Sequence, residues 1–85
     1  MSLSSTKPLT YVHQMYFNSA YLGTRLSAVQ LPEQCYLLGL VRGDQLFDLR
    51  DDPEITEQDW VVAITLNEML LPELEVCLQQ SIPQN

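Results

Sequence analysis

Eighty-five residues leave room for one domain, and a chain of that length buries only about 60% of the surface its unfolded form exposes. Four basic residues against eleven acidic ones give a formal net charge of −7, which offers no basic patch to a phosphate backbone or an anionic membrane surface and so speaks against nucleic-acid binding. The hydrophobic share of 46% is high for so small a domain and raises the expectation of self-association.

Residues 1–9 are rich in Ser and Thr and carry Pro8, the composition of a flexible lead-in or the end of a linker. They lack the basic and apolar regions of a signal peptide. Residues 11–17 read as a first strand with Tyr11, His13, Met15 and Phe17 on one face. A short helical stretch follows over 24–31, where Leu26, Val29 and Gln30 fall at i, i+3, i+4 spacing and Pro32 stops it.

The stretch that organises the chain comes next. An apolar run over 35–41 ends in Arg42, a Gly43-Asp44 turn follows, and a more alternating segment runs over 45–49. This predicts a hairpin whose first strand is buried on both faces and whose arginine stands at the rim. The apolar run falls well short of the ~20 residues that span a bilayer.

Residues 50–54 read as a polar loop and 56–59 as a turn. A further strand is expected over 60–66, with Trp60, Val62, Ile64 and Leu66 facing one way. Its alternates Val61, Ala63 and Thr65 are small enough to be covered too. From Pro72 to residue 80, Leu71, Leu74, Cys77, Leu78 and Ser81 fall at helix spacing, with Glu73, Glu75 and Gln79 outside. Pro83 ends that helix, leaving 83–85 as a tail. The order is β-α-β-β-β-α: a small α+β domain over 10–82, with about four strands and two short helices.

Three segments carry a resemblance. Leu22-Gly23-Thr24-Arg25-Leu26-Ser27-Ala28-Val29-Gln30-Leu31-Pro32 is similar to a "Gly-Lys-Thr-Leu-x-x-Leu-x-Leu-Pro" opening. Gly39-Leu40-Val41-Arg42-Gly43-Asp44 resembles an "Ala-Ile-x-Arg-x-Gly" segment, and Ile55-Thr56-Glu57-Gln58-Asp59-Trp60-Val61-Val62-Ala63 a "Leu-x-x-Gly-Asp-x-Leu-x-Val" strand entry. In this order and spacing they resemble the TrkA-C domain, the C-terminal domain of regulators of potassium conductance, over about residues 11–80. Two positions depart from the pattern: Gln58 stands where the family carries glycine, and the proline expected after the hairpin is absent or displaced to Pro53.

The resemblance implies a cytoplasmic regulatory domain that dimerises and is attached to a potassium- or chloride-class ion channel or transporter, tethered to the membrane through a parent protein. No Gly-x-Gly-x-x-Gly is present, so no dinucleotide cofactor is expected. In relatives that bind cyclic dinucleotides, the arginine matching Arg42 lies near a cleft at the dimer interface. A small ligand, if bound, is therefore expected among Tyr36, Gly39, Leu40, Arg42, Phe47 and Asp48, with the guanidinium gripping an anion. The plainer and favoured reading pairs Arg42 with Asp44, Asp48 or Asp51 at the sheet rim.

Other candidates are weighed against plainer roles. The carboxylates Asp48, Asp51, Asp52, Glu54, Glu57 and Asp59 suggest a divalent cation, and a free-standing small-ligand or cation-sensing domain is the alternative function. They miss the EF-hand spacing, and a solvated loop explains them better. His13 is the sole histidine and reads as a partly buried strand residue rather than a ligand or base. Ser27, Cys35 and Cys77 have no base near them in sequence, so the chain is not expected to be an enzyme. The cysteines read as small buried hydrophobes rather than a disulfide. Trp60, Met15 and the Leu70-Leu71 pair read as core or dimer interface.

Overall fold

A computed structural model describes residues 7–82. Four antiparallel strands, β1 (Leu9–Gln14), β2 (Cys35–Arg42), β3 (Gln45–Phe47) and β4 (Trp60–Thr65), form one sheet in the order β1-β4-β2-β3. Among the described residues there is one α-helix, α1 (Leu71–Leu78). The α+β class and the four strands match the sequence expectation, but the first expected helix is replaced by a single 3-10 turn at Leu26–Ala28.

That difference has a local cause. The N–H of Leu26 goes to the Pro53 carbonyl, Gly23 donates to Ile55, and Ile55 donates back to Thr24. A helix over 24–31 would bond the Thr24 carbonyl to the Ala28 N–H. Here that carbonyl accepts from Ile55 and Ala28 donates to Arg25, while the Gly23 and Leu26 N–H groups tie the segment to residues 53–55. The periodicity still reports burial, since Leu26 and Val29 are both core residues.

The first strand lies earlier than expected. Leu9, placed by sequence in the lead-in, pairs with Thr65, and the chain leaves the sheet at Met15. There the Met15 N–H donates to Asp59, its carbonyl accepts from Gln58, and the side chain is fully buried. Phe17, expected on the same face as Met15, is 68% exposed. The remainder of the lead-in, 1–6, and the tail, 83–85, lie outside the described residues.

The expected hairpin forms, with Leu40, Val41 and Arg42 paired to Phe47, Leu46 and Gln45 around the turn. Gly43 takes a positive φ of 62°, a conformation that glycine adopts without steric cost. The second leg stops at Phe47 instead of continuing to 49. A bulge at Leu38, where the register with β4 shifts between Leu37 and Gly39, bends β2.

Only one face of the sheet is covered. Leu74 and Leu78 of α1 join Val61, Ala63, Leu40 and Ile55 in the core. Thus β2 is not buried on both faces: Tyr36 and Leu38 are exposed. On β4 the small set Val61, Ala63 and Thr65 is the buried one, while Trp60, Val62 and Ile64 point to the opposite face. A strand apolar on both sides gives no sequence signal for which side meets the helix.

The helix buries Leu74 and Leu78 as expected and half-buries Leu71 and Cys77, but it ends at Leu78 instead of residue 80. Ser81, expected at its inner spacing, is exposed and forms an isolated bridge with Ser19. Pro72 occupies the first turn of the helix. A 3-10 turn at Glu68–Leu70 leads in, and the Asn67 side chain accepts the Met69 N–H at 3.0 Å, satisfying one of the free donors at the start. Among the described residues, no helix is long and apolar enough to cross a membrane.

Candidate functional site

The candidate site is the corner where β2 ends and β4 begins. Arg42 is the last residue of β2, on the same side of the sheet as Leu40, and Asp59 immediately precedes β4. The guanidinium binds this carboxylate through two contacts. Nε donates to Oδ1 at 2.9 Å and Nη2 to Oδ2 at 2.8 Å, the planar fork geometry that suits arginine. Nη2 also donates to the Glu54 carbonyl at 2.8 Å, and the guanidinium carbon sits 5.1 Å from the Phe47 ring centroid, within cation–π range.

Asp59 has further donors. Its Oδ2 accepts the Thr56 N–H at 2.8 Å and the Thr56 hydroxyl at 2.9 Å. The residue is 1% exposed. Burial would raise its pKa, but the hydrogen bonds from Arg42 and Thr56 outweigh that effect and hold the carboxyl below its ordinary value. The Asp59 hydrogen bond is in turn the main reason that the Arg42 pKa is raised.

The three segments that carry the family resemblance meet here. The 22–32 segment is stitched to residues 53–55 by backbone bonds, including an Arg25–Glu54 bridge, and the 39–44 segment reaches 55–63 through Arg42 and Asp59. Gln58, where the resembled pattern carries glycine, has φ of 73°, a left-handed conformation that glycine adopts more readily than a residue with a side chain.

The six expected ligand residues do not form one cavity. Leu40 is fully buried, and Phe47 is half-buried under the guanidinium. A Cβ on Gly39 would lie 2.6 Å from the Phe47 carbonyl oxygen. Tyr36 sits on the uncovered face and borders a separate apolar groove with Val29, Leu31, Leu37 and Leu49. The Asp48 carboxylate folds back on its own loop, accepting the N–H groups of Arg50 and Asp51 at 2.9 and 3.1 Å. Arg42 borders an open depression with Gln14, Thr56 and Trp60.

The partner expected for Arg42 was Asp44, Asp48 or Asp51, and the structure gives Asp59 instead. The one sequence signal for this was position: Asp59 is the acid directly abutting an apolar strand, with Thr56 three residues earlier.

The loop carboxylates are likewise dispersed. Asp52 accepts from the Ser27 N–H and hydroxyl, Asp51 from the Asp48 N–H, and Asp59 from Arg42. Among the described residues, no three His, Cys, Asp or Glu side chains stand close enough to hold a metal ion. His13 stacks on Tyr11 at 6.1 Å, and burial lowers its pKa. Cys35 and Cys77 are free thiols. The Cys77 carbonyl accepts from the Tyr21 hydroxyl at 2.7 Å, and burial, with the Cys77 thiol beside it, pushes the Tyr21 pKa up to about 12.

No protein-family model and no curated protein matches the chain.

Proposed function

We propose that the chain is a non-enzymatic regulatory module of the TrkA-C type, on the cytoplasmic side of a membrane and attached to an ion channel or transporter of the potassium or chloride class. It acts as a homodimer. A ligand or partner that prefers one arrangement of the two copies shifts the population of arrangements and so biases the membrane domain. The observation that carries this reading is the convergence of segments 22–32, 39–44 and 55–63 on one corner, locked by Arg42 and Asp59. Segments that resemble a single family and are scattered in sequence are here one hydrogen-bonded unit.

An anion gripped through the Nε and Nη2 fork would have to displace Asp59, leaving a buried carboxylate short of its main partner. Arg42 is therefore assigned the role of holding the corner, and the response is assigned to the way the copies meet. Sedimentation equilibrium of the chain at tens of micromolar tests the pairing: a dimer is expected, and a monodisperse monomer overturns it. The coding sequence adjoining this domain in its gene tests the attachment, which predicts membrane-spanning segments in the same or a neighbouring reading frame.

A further inference from the structure

The face of the sheet opposite α1 is apolar and bare. Trp60, Val62 and Ile64 run along its central strand, with Tyr36 beside Ile64, Val12 beside Val62, and Leu46 beyond Val41 on β3. Tyr36 is 54% exposed and Leu46 74%. An antiparallel sheet with one solvated face normally shows polar residues there, and a contiguous apolar patch of this kind marks an interaction surface.

Charge identifies the occupant. None of the eleven acidic residues lies in a strand. The one charged strand residue, Arg42, is on the covered side and bound to Asp59. Two copies each carrying −7 repel wherever their acidic loops meet. On this face they can approach through strand side chains, none of which is a carboxylate. A basic partner would be drawn to the loops and helix instead.

We infer that a second copy of this chain docks on this face, the two sheets stacking face to face about a two-fold axis with Val62 near the centre and Trp60 and Tyr36 toward opposite ends. This rests on the homodimer proposed above. Four strands about 4.8 Å apart, averaging about six residues at about 3.3 Å each, give a flat footprint of roughly 400 Å² per copy. Two such footprints total roughly 800 Å² before corrugation enlarges them, below the about 1,200–2,000 Å² of stable specific interfaces and in the range of weak, transient pairs, so the pair dissociates on dilution. Because the acidic rims repel, salt strengthens the association.

Trp60 is the only tryptophan and reports directly on the contact. The full chain is diluted from millimolar to sub-micromolar while sedimentation and tryptophan emission are followed together, at low and high salt. Dimer-to-monomer conversion is expected, with Trp60 emission moving to the red over the same concentration range and the midpoint falling to lower concentration in high salt. Val62→Glu and Leu46→Glu each place an unpaired carboxylate in the contact and should move that midpoint at least roughly tenfold higher. Leu46 lies on a three-residue edge strand outside the core, so its variant keeps the circular dichroism of the parent. If the parent dimerises but both variants dimerise equally well and the emission ignores dilution, the surface is wrong and the pairing stands. If the parent is monomeric throughout, both fall.

Discussion

The Arg42 guanidinium holds the buried Asp59 carboxylate through two hydrogen bonds at 2.9 and 2.8 Å, joining the end of one central strand to the start of the other. Removing one partner of such a pair leaves the other charge stranded, at a cost of about 3–5 kcal/mol when both are fully buried. The Arg42 side chain keeps 39% exposure, so solvent screening reduces the effect, and Arg42→Ala should cost about 2–3 kcal/mol in urea unfolding near neutral pH. An unchanged midpoint would reduce the pair to a rim contact.

The same pair sets an acid dependence. The Asp59 pKa is lower in the folded chain than in the unfolded one. Its contribution is therefore complete above the unfolded carboxylate value of about 4, and it is lost as pH falls through the folded value. In Arg42→Ala the main lowering contact is gone. The difference in stability between parent and variant should shrink as unfolding is repeated below about pH 4, and a constant difference would show that Asp59 is not the linked group.

Gln58 occupies the left-handed region at φ 73°, where a side chain costs roughly 1–2 kcal/mol. Gln58→Gly relieves that strain and gives back part of it as unfolded-chain entropy, so thermal unfolding should show a net gain of about 0.5–1 kcal/mol. Gln58→Val, branched at Cβ, should lose stability. Equal melting of all three proteins would mean that the loop relaxes freely.

The hairpin and the final helix were legible because their signals are local: the Gly43-Asp44 turn between two apolar runs, and Pro72 opening a 3.6-residue pattern. The expected helix at 24–31 failed for a non-local reason: the Thr24 carbonyl, which a helix would bond to residue 28, accepts from Ile55, about thirty positions away. The buried side of β4 was not legible because Trp60, Val62 and Ile64 are as apolar as the set facing the core. Arg42 stood out in sequence as the one basic residue of the hairpin's strands, and pairing with an acid was its favoured reading. Its partner did not stand out, because six loop carboxylates compete for it and only the fold brings one within reach.

Two glycines of the hairpin should respond differently to the same substitution. At Gly43 an added Cβ meets nothing within 4 Å but must adopt φ 62°, so Gly43→Ala should cost only about 1 kcal/mol. At Gly39 the Cβ would lie 2.6 Å from the Phe47 backbone oxygen, which cannot swing aside as a side chain would. Gly39→Ala must push β3 away from β2, which should cost about 1–3 kcal/mol. It should also accelerate amide exchange at residues 45–47. Comparable losses and unchanged exchange in both variants would show that the bulge at Leu38 absorbs the added methyl.

The buried side of α1 offers the sharpest contrast on a single element. Leu74 and Leu78 are fully buried, whereas Val76 between them is 65% exposed. Truncating a buried leucine removes its transfer free energy and leaves a cavity, so Leu74→Ala and Leu78→Ala should each cost about 2–5 kcal/mol. In a domain this small that approaches the whole stability, and Leu78→Ala is expected to be partly unfolded at room temperature by circular dichroism. Val76→Ala exchanges an exposed β-branched residue for the best helix former and should be neutral or gain a few tenths of a kcal/mol. A large loss at Val76 with little at Leu78 would mean that the helix is rotated about its axis and that the covered face of the sheet is packed by the other side of α1.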